Sequence, residues 1–516
     1  MSKDYCLLDE PWLPVRLADG RVRALGLLEV FARSGEIVAL ADTAPPNLVA
    51  QYRLLLAITH RALAAQGAWS TGERASWYRE GLPLEVIRAY LEQWRERFWL
   101  FHPQYPFMQV AALASCDETQ VLFPSNTISL EQFYGTGMFN QEIYSTDSWL
   151  PQTVIRSLLG YLQFVPGGFF PGKKLKTSEK GGALVNTAAL IPVGPTLAQT
   201  LCLALHPAAR EGDEPDLPSW EHEPPSIAAL RGEPVLASGP NDRYTRLSRA
   251  VLLCREAEGS IRWLHFAAGL ALGEDPNAPD PMASFREGSA GPVRLTFGDG
   301  RALWRDLPAL LPEAGGTSRA AAVMQYAVSL HAEMNPFDPP HQPLLVAGLA
   351  SDQAKLLRWR MEQLVLPGRL LLEPQKTQVL RDAVAAAETL FFDLKRLATG
   401  LLADTLPDPA SKDTRARARS LVESGPLATS YFATAERGLA LLLAGLDAGR
   451  LEQAHAEWMS TCRRAAECAW DHQLAGLGRS PRAVRADARY WPRFRALLNT
   501  QAPRPEPVAT DKEAVS

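Results

Sequence analysis

The chain has 516 residues, 47% hydrophobic and 21% charged, with a formal net charge of −4. This is globular composition with room for several domains, which excludes a disordered or fibrous chain and any overall charge that advertises nucleic acid. Six cysteines (Cys6, Cys116, Cys202, Cys254, Cys462, Cys468) are scattered without a C-x-x-C pair. That argues against a cysteine-based zinc site and implies no disulfide framework, as expected of a reducing compartment. No run of 18 apolar residues is present, and "MSKDYCLLDEPWLPV" lacks the layout of a secretory signal. A cytoplasmic protein without a membrane partner is expected.

In chain order, residues 5 to 30 read as short strands, with Asp19-Gly20 between "WLPVRL" and "RVRAL" as a hairpin signal. "NLVAQYRLLLAITHRALAA" (47 to 65) predicts a helix. So does "PLEVIRAYLEQWRERFWLF" (83 to 101), with Val86, Ile87, Tyr90, Leu91, Trp94 and Phe98 on one side. Residues 102 to 150 are irregular and aromatic-rich, and "VIRSLLGYLQF" has helical spacing. Residues 206 to 240 and 273 to 292 are Pro- and Gly-rich and read as loops. Past Pro367, Leu380, Ala383, Ala387, Leu390, Leu394, Leu397 and Leu401 alternate steps of three and four, a sustained packing seam. Three further helical segments follow, broken at Pro407, Pro409 and Gly425-Pro426. The expected fold class is α+β: a large mixed α/β domain over 1–366, a C-terminal four-helix bundle over 367–501 and a disordered tail over 502–516.

The search for catalytic chemistry is mostly negative. The nine histidines are dispersed, with no H-E-x-x-H, and no G-x-S-x-G elbow occurs. His102, among aromatics in "FHPQYPFMQV", reads as a packed residue with its ring nitrogens bonded to backbone. "EDPNAPDP" reads as a surface loop. "FVPGGFFPGKKLKTSEKGGA" (164 to 183) nearly spells a phosphate loop, with Gly167, Gly172 and Lys173, but Lys174 stands where the magnesium-binding Ser or Thr belongs. A helix precedes the stretch instead of a strand, and Gly181-Gly182 interrupt where a helix should follow. No cofactor, no metal and no enzymatic activity are therefore expected.

Two features suggest nucleic acid. Of ten lysines, four (Lys173, Lys174, Lys176, Lys180) fall in this stretch beside glycines that let backbone approach another polymer. The same pattern also describes a solvated loop. Arg482, Arg485, Arg489 and Arg493, spaced three, four and four, would form a basic stripe on a helix, which is equally the solvated outer face of a bundle. Pro492 is a candidate break in that stripe.

"LLDEPWLPVR", a helix leading into "FHPQYPFMQ", the Pro-Gly-Gly loop and the terminal bundle, in this order, resemble the CasA family, the large subunit of the type I-E CRISPR Cascade. The resemblance spans about residues 5 to 500, loosely in the middle third. It implies a non-catalytic subunit of an RNA-guided antiviral surveillance complex. Such a subunit recognises the protospacer-adjacent motif (PAM) of foreign double-stranded DNA from the minor groove, promotes duplex opening and recruits a helicase-nuclease. The partners implied are guide RNA, target double-stranded DNA, the other Cascade subunits and the helicase-nuclease.

By the same resemblance, Gly167 and Gly168 lie against the PAM, and Lys173, Lys174 and Lys176 hold flanking phosphates. Asp352 and Gln353 occupy the positions of a DNA wedge, with Asp in place of the family's Asn. The local sequence suggests that Ser351 or Asp352 caps a helix through "QAKLLRWRMEQL". Phe133, Tyr134 and Phe139 fall where the family docks the guide RNA 5′ end and a neighbouring subunit. They would stack on bases or pack beneath the loop. The family's hairpin lysine has no counterpart in "SIRWLHFAAGLALGED", where Arg262 is the one basic residue. Only Cys254 falls where some members carry a zinc insertion. The alternative is a helical scaffold protein that binds an acidic protein partner through its basic loop.

Overall fold

The computed structural model describes residues 3–130, 148–169, 175–176, 178–208, 215–276, 278–288, 291–298, 300–312, 318–334, 341–352 and 355–500, with no side-chain description at 169, 178–179, 350–358 and 500. The chain divides into two compact units. One comprises Met1–Leu303 with Ala309–Gly368; the other comprises Trp304–Pro308 with Arg369–Ser516.

The first unit is mixed. Its central helix Pro45–Ala64 starts with prolines in its first turn, where a missing N–H costs nothing, and is buried over most of its length. Pro151–Phe164, Leu84–Gln93 and Pro240–Thr245 pack against it. Asp19-Gly20 turns the hairpin Leu13–Leu17/Val22–Leu25, with Gly20 at φ +82°, and Ile37–Leu40 adds a third antiparallel strand. Arg249–Arg255, Ile261–Ala268 and Leu122–Pro124 form a second antiparallel sheet.

The largest hairpin joins His341–Asp352 to Lys355–Pro367, and Ala188–Pro192 pairs with the root of its first strand. This corrects the helix expected after Ser351: Asp352 pairs with Lys355 in an antiparallel register. Exposure alternates from Met361 to Val365, the period of a strand. Pairing with a distant strand has overridden the helical reading of "QAKLLRWRMEQL".

Two other expectations change. The helix predicted to reach residue 101 ends at Gln93, and Trp99–Phe101 is a strand paired with Asp4–Cys6. Residues 273 to 292, read as a loop, contain the first strand of the hairpin Phe285–Gly288/Gly291–Arg294.

The second unit is helical. Pro374–Thr405 carries the packing seam, with Leu380, Ala383, Ala387, Leu390, Leu394 and Leu401 buried and Leu397 half-buried. It packs against Leu451–Leu477 and Pro481–Thr500. The rod between them is broken into Leu427–Glu436 and Leu439–Asp447, and a helix at Lys412–Ser424 is added beside the seam. The whole is an α+β protein with a C-terminal helical region.

Candidate nucleic-acid interface

The loop that carries Gly167 and Gly168 grows from two strands of backbone. At its root, the Leu184 amide donates to the Gln163 carbonyl at 2.8 Å and the Gly182 amide to the Val165 carbonyl at 2.7 Å. Further out, Gly168 faces Glu179 and Phe169 faces Ser178 in an antiparallel pair. The root is tight. A Cβ on Gly182 would sit 2.5 Å from the Gln163 carbonyl oxygen and 2.7 Å from that of Leu162.

The turn is open. Gly167 and Gly168 are exposed, and a Cβ on Gly168 would meet no described atom within 4 Å. Gly168 does not adopt the positive φ that favours glycine. Neither packing nor backbone conformation within the described residues requires glycine there.

Lys176 is half-buried and Lys180 exposed at the returning end of the loop. Lys173 and Lys174 lie outside the described residues. Beside the root opens a cavity of about 570 Å³, lined by Lys180, Gly181, Gly182, Arg243, Arg294 and Arg319 among others, with Glu274 and Asp275 on its wall. Arg294 donates to the Ala183 carbonyl and to Thr187 Oγ1, both at 3.3 Å, and so ties that wall to the returning strand.

The buried side chain that joins the two sides of the loop is Arg249, at the first position of its strand. Nothing in "RLSRAVLLCRE" singles it out. An arginine at the head of an apolar run is a common strand start, and its carbonyl partners come from other segments.

Of the two positions expected to form a wedge, Asp352 sits at the far end of the long hairpin. Asp352 is the last residue of the first strand, and Gln353 lies outside the described residues. The third strand pairs only with Leu344–Gly348, so the hairpin continues past it as a two-stranded arm, with a register shift at Ala350/Ser351. Phe133, Tyr134 and Phe139 lie outside the described residues. Arg262 is on a sheet strand, where its Nε donates to Ser148 Oγ at 3.3 Å.

Arg482, Arg485, Arg489 and Arg493 are all exposed on one helix, which runs through Pro492 without a break. Arg489 pairs with Asp404 at 2.8 Å and Arg493 lies over the Tyr490 ring. Those contacts belong to a solvated helix face and add no argument for a ligand.

His102 is buried, and its Nδ1 accepts from the amides of Gln104 at 3.1 Å and Tyr105 at 2.8 Å, as expected, whereas its Nε2 lies 3.6 Å from the Glu96 carboxylate and not against backbone. Burial pushes its pKa down. Among the described residues, no group of three or more His, Cys, Asp or Glu side chains is placed to hold a metal ion. No helix there is long and apolar enough to cross a membrane.

The profile of the family CRISPR-associated protein Cse1 matches residues 7–469. A CRISPR-associated protein CasA/Cse1 of Thermus thermophilus is 31% identical over 512 residues, covering 96% of this chain and 97% of the relative. The crystal structure of Thermus thermophilus CasA superposes with a TM-score of 0.83 at 29% identity, covering 96% of this chain and all of the other. A Thermobifida fusca Cse1 structure shares the fold with a TM-score of 0.77 at 24% identity, covering 97% of this chain and 98% of the other. A chain solved in a CRISPR RNA-guided surveillance complex shares it with a TM-score of 0.76 at 22% identity, covering 96% of this chain and all of the other. With its profile matched over most of its length and its fold that of the solved members, the chain belongs to the Cse1 (CasA) family of CRISPR-associated proteins.

Proposed function

We propose that this chain is the non-catalytic large subunit of an RNA-guided surveillance complex, and that it recognises the PAM of foreign duplex DNA through the Gly167-Gly168 turn. One observation carries the reading. Gly168 is exposed, meets no described atom within 4 Å where a Cβ would stand and has no need of glycine's conformational freedom. A glycine that the fold itself does not demand is suited to an external surface that must come close to the backbone. The floor of a minor groove is such a surface, and its degenerate pattern separates A·T from G·C more than A·T from T·A.

Around the turn, Lys173, Lys174 and Lys176 supply phosphate contacts that add affinity without reading bases. The arm ending at Asp352 and Gln353 acts as the wedge that holds the first opened base pair. A hairpin arm replaces the helix tip expected from the sequence, and its cross-strand hydrogen bonds give it the stiffness a wedge needs. Phe133, Tyr134 and Phe139 dock the guide RNA 5′ end or the adjoining subunit. The assembled complex then recruits a helicase-nuclease.

The experiment is binding by the complex assembled with its other subunits and a guide RNA. Gly168→Leu should weaken binding to PAM-containing duplex and spare target supplied already unpaired. Equal losses on the two substrates, or none on either, would sink the reading.

A further inference from the structure

We propose that Arg249 is the positioning residue of the Gly167-Gly168 turn, a buried clamp that sets how the turn is presented to DNA. The inference rests on the reading of that turn as the DNA contact.

Arg249 is 3% exposed. Its Nη2 donates to the Pro166 carbonyl at 2.6 Å, on the outgoing side of the loop. Its Nη1 donates to the Lys180 carbonyl at 2.8 Å, on the returning side, and to the Ser248 carbonyl at 2.7 Å. Pro166 and Lys180 are the residues that immediately flank 167–179. The clamp therefore acts where the tight root ends and the open turn begins.

The chemistry of the two strands explains why a side chain is needed at this level. Pro166 has no N–H with which to continue the backbone ladder. The Pro166 and Lys180 carbonyls both turn towards the buried Arg249 side chain, and losing that donor would leave them to find other partners. A planar guanidinium presents several donors in fixed directions and bridges carbonyls on separate strands at once. Charge-assisted bonds of this kind are also stronger than neutral ones. Because Arg249 opens the strand Arg249–Arg255, whose residues 250–253 are buried, the turn is referenced to the core of the unit. The glycines themselves make no side-chain contact that could aim them.

Lysine at 249 keeps the charge but offers a point ammonium instead of a fork, so it cannot reproduce the bridge in one geometry. Methionine keeps much of the stem and removes every donor.

The test uses the full-length chain, free and assembled with guide RNA, as Arg249→Lys, Arg249→Met and Gly168→Leu. For Arg249→Lys, the Gly168 and Phe169 amides of the free chain should exchange with solvent at least tenfold faster, while those of 250–254 keep their protection. In the complex, affinity for PAM duplex should fall at least tenfold, which is about 1.4 kcal/mol. Affinity for pre-unpaired target should stay within about twofold of the parent, the scale of a surface change away from the contact. Unchanged amide exchange and unchanged duplex affinity would overturn the clamp. So would equal losses on both substrates accompanied by exchange rising through 250–254, which marks a purely structural role. If Arg249→Met fails to fold, the lysine variant decides. Gly168→Leu separates the two readings: normal PAM binding by that variant overturns the turn as DNA contact, whereas the exchange data judge the clamp independently.

Discussion

Arg53 and Asp280 form a two-bond ion pair from which solvent is shut out at both ends. Arg53 Nη1 donates to Oδ1 at 3.0 Å and Nη2 to Oδ2 at 2.8 Å, between side chains that are both fully buried. Nη2 also donates to the Arg243 carbonyl at 3.2 Å. Burial by itself would raise the Asp280 pKa, but the Arg53 and Arg243 charges outweigh it and hold the carboxyl below its usual value. The pair ties the central helix to the segment that walls the cavity beside the glycine loop. Arg53→Met strands a buried carboxylate and should cost about 3–5 kcal/mol in denaturant unfolding. A loss under about 1 kcal/mol would show that the site relaxes to admit water.

Stability should fall as the medium is acidified below neutrality. The His60 and His206 rings stack with centroids 3.6 Å apart in a buried cluster. Asn241 Nδ2 donates to His60 Nδ1 at 2.9 Å, and His60 Nε2 donates to the Pro207 carbonyl at 3.2 Å, so the ring is held neutral. Burial lowers the His60 pKa to about 4, and burial, with the repulsion that protonating both stacked rings would bring, lowers that of His206. The unfolded chain titrates near ~6.5. Above that value neither state takes up a proton and the stability is complete. Between there and about 4 the unfolded state protonates first, and His60 alone should cost about 3 kcal/mol across the window. Burial holds the Asp216 carboxyl above its usual value, and its earlier protonation offsets part of the loss at the acid end. His206→Leu should flatten the dependence of unfolding free energy on pH. An unchanged slope in that variant refutes the account.

Gly168 and Gly182, on the same loop, should respond oppositely to substitution. Gly182→Val forces a Cβ against the Gln163 and Leu162 carbonyls and should lower stability by about 1–3 kcal/mol, the usual cost of overpacking. Gly168→Val meets no described atom at its Cβ and should stay within ~0.5 kcal/mol of the parent. Thermal unfolding of the two variants checks the contrast, and equal destabilisation contradicts the open turn.

In the helical unit, Leu394→Ala should cost about 2–5 kcal/mol, because Leu394 is wholly buried in the packing seam. Phe392, two residues earlier, is 68% exposed. Phe392→Ser should therefore be near neutral in stability, within ~0.5 kcal/mol, and should raise solubility. A reversed order in urea unfolding would misplace the seam.

The lysines and the wedge should separate kinetically. Replacing Lys173, Lys174 and Lys176 with Ala should weaken binding of the complex to all duplexes and flatten its salt dependence. Gln353→Ala should leave the initial encounter intact and slow strand opening, read from a base-unpairing fluorophore beside the PAM. Normal opening by Gln353→Ala would remove the wedge from this arm.

Much of the architecture was legible because it rests on local patterns. The Asp19-Gly20 turn, the central helix and the seam from Leu380 to Leu401 are each specified by residues within a few turns of one another. Local chemistry also accounts for His102, whose ring nitrogen finds its donors within its own tight bend. The strands Trp99–Phe101 and Lys355–Pro367 were read as helix because their apolar residues also suit a helical spacing. Pairing with Asp4–Cys6 and with His341–Asp352 decided them, and a strand has no hydrogen bonds of its own until its partner arrives.

The glycine loop divides in the same way. Composition alone marked the stretch from 164 to 183 as unusual, and the missing Ser or Thr after Lys173 was enough to separate it from a phosphate loop. Which of its glycines serve the fold and which face outward is a matter of what lies within a few ångströms of each Cα. Gly182 abuts the backbone of Gln163, and Gly168 abuts nothing described. Arg249 stands further still from any local signal. It bonds to carbonyls 83 and 69 residues before it in the chain, and a carbonyl belongs to every residue, so no side-chain pattern could name its partners. The sequence by itself determined the Asp19-Gly20 turn, the central helix, the seam and the family resemblance; the tertiary structure alone decided which backbone atoms that buried guanidinium would reach, because hydrogen bonds to carbonyls depend on position in space and not on residue type.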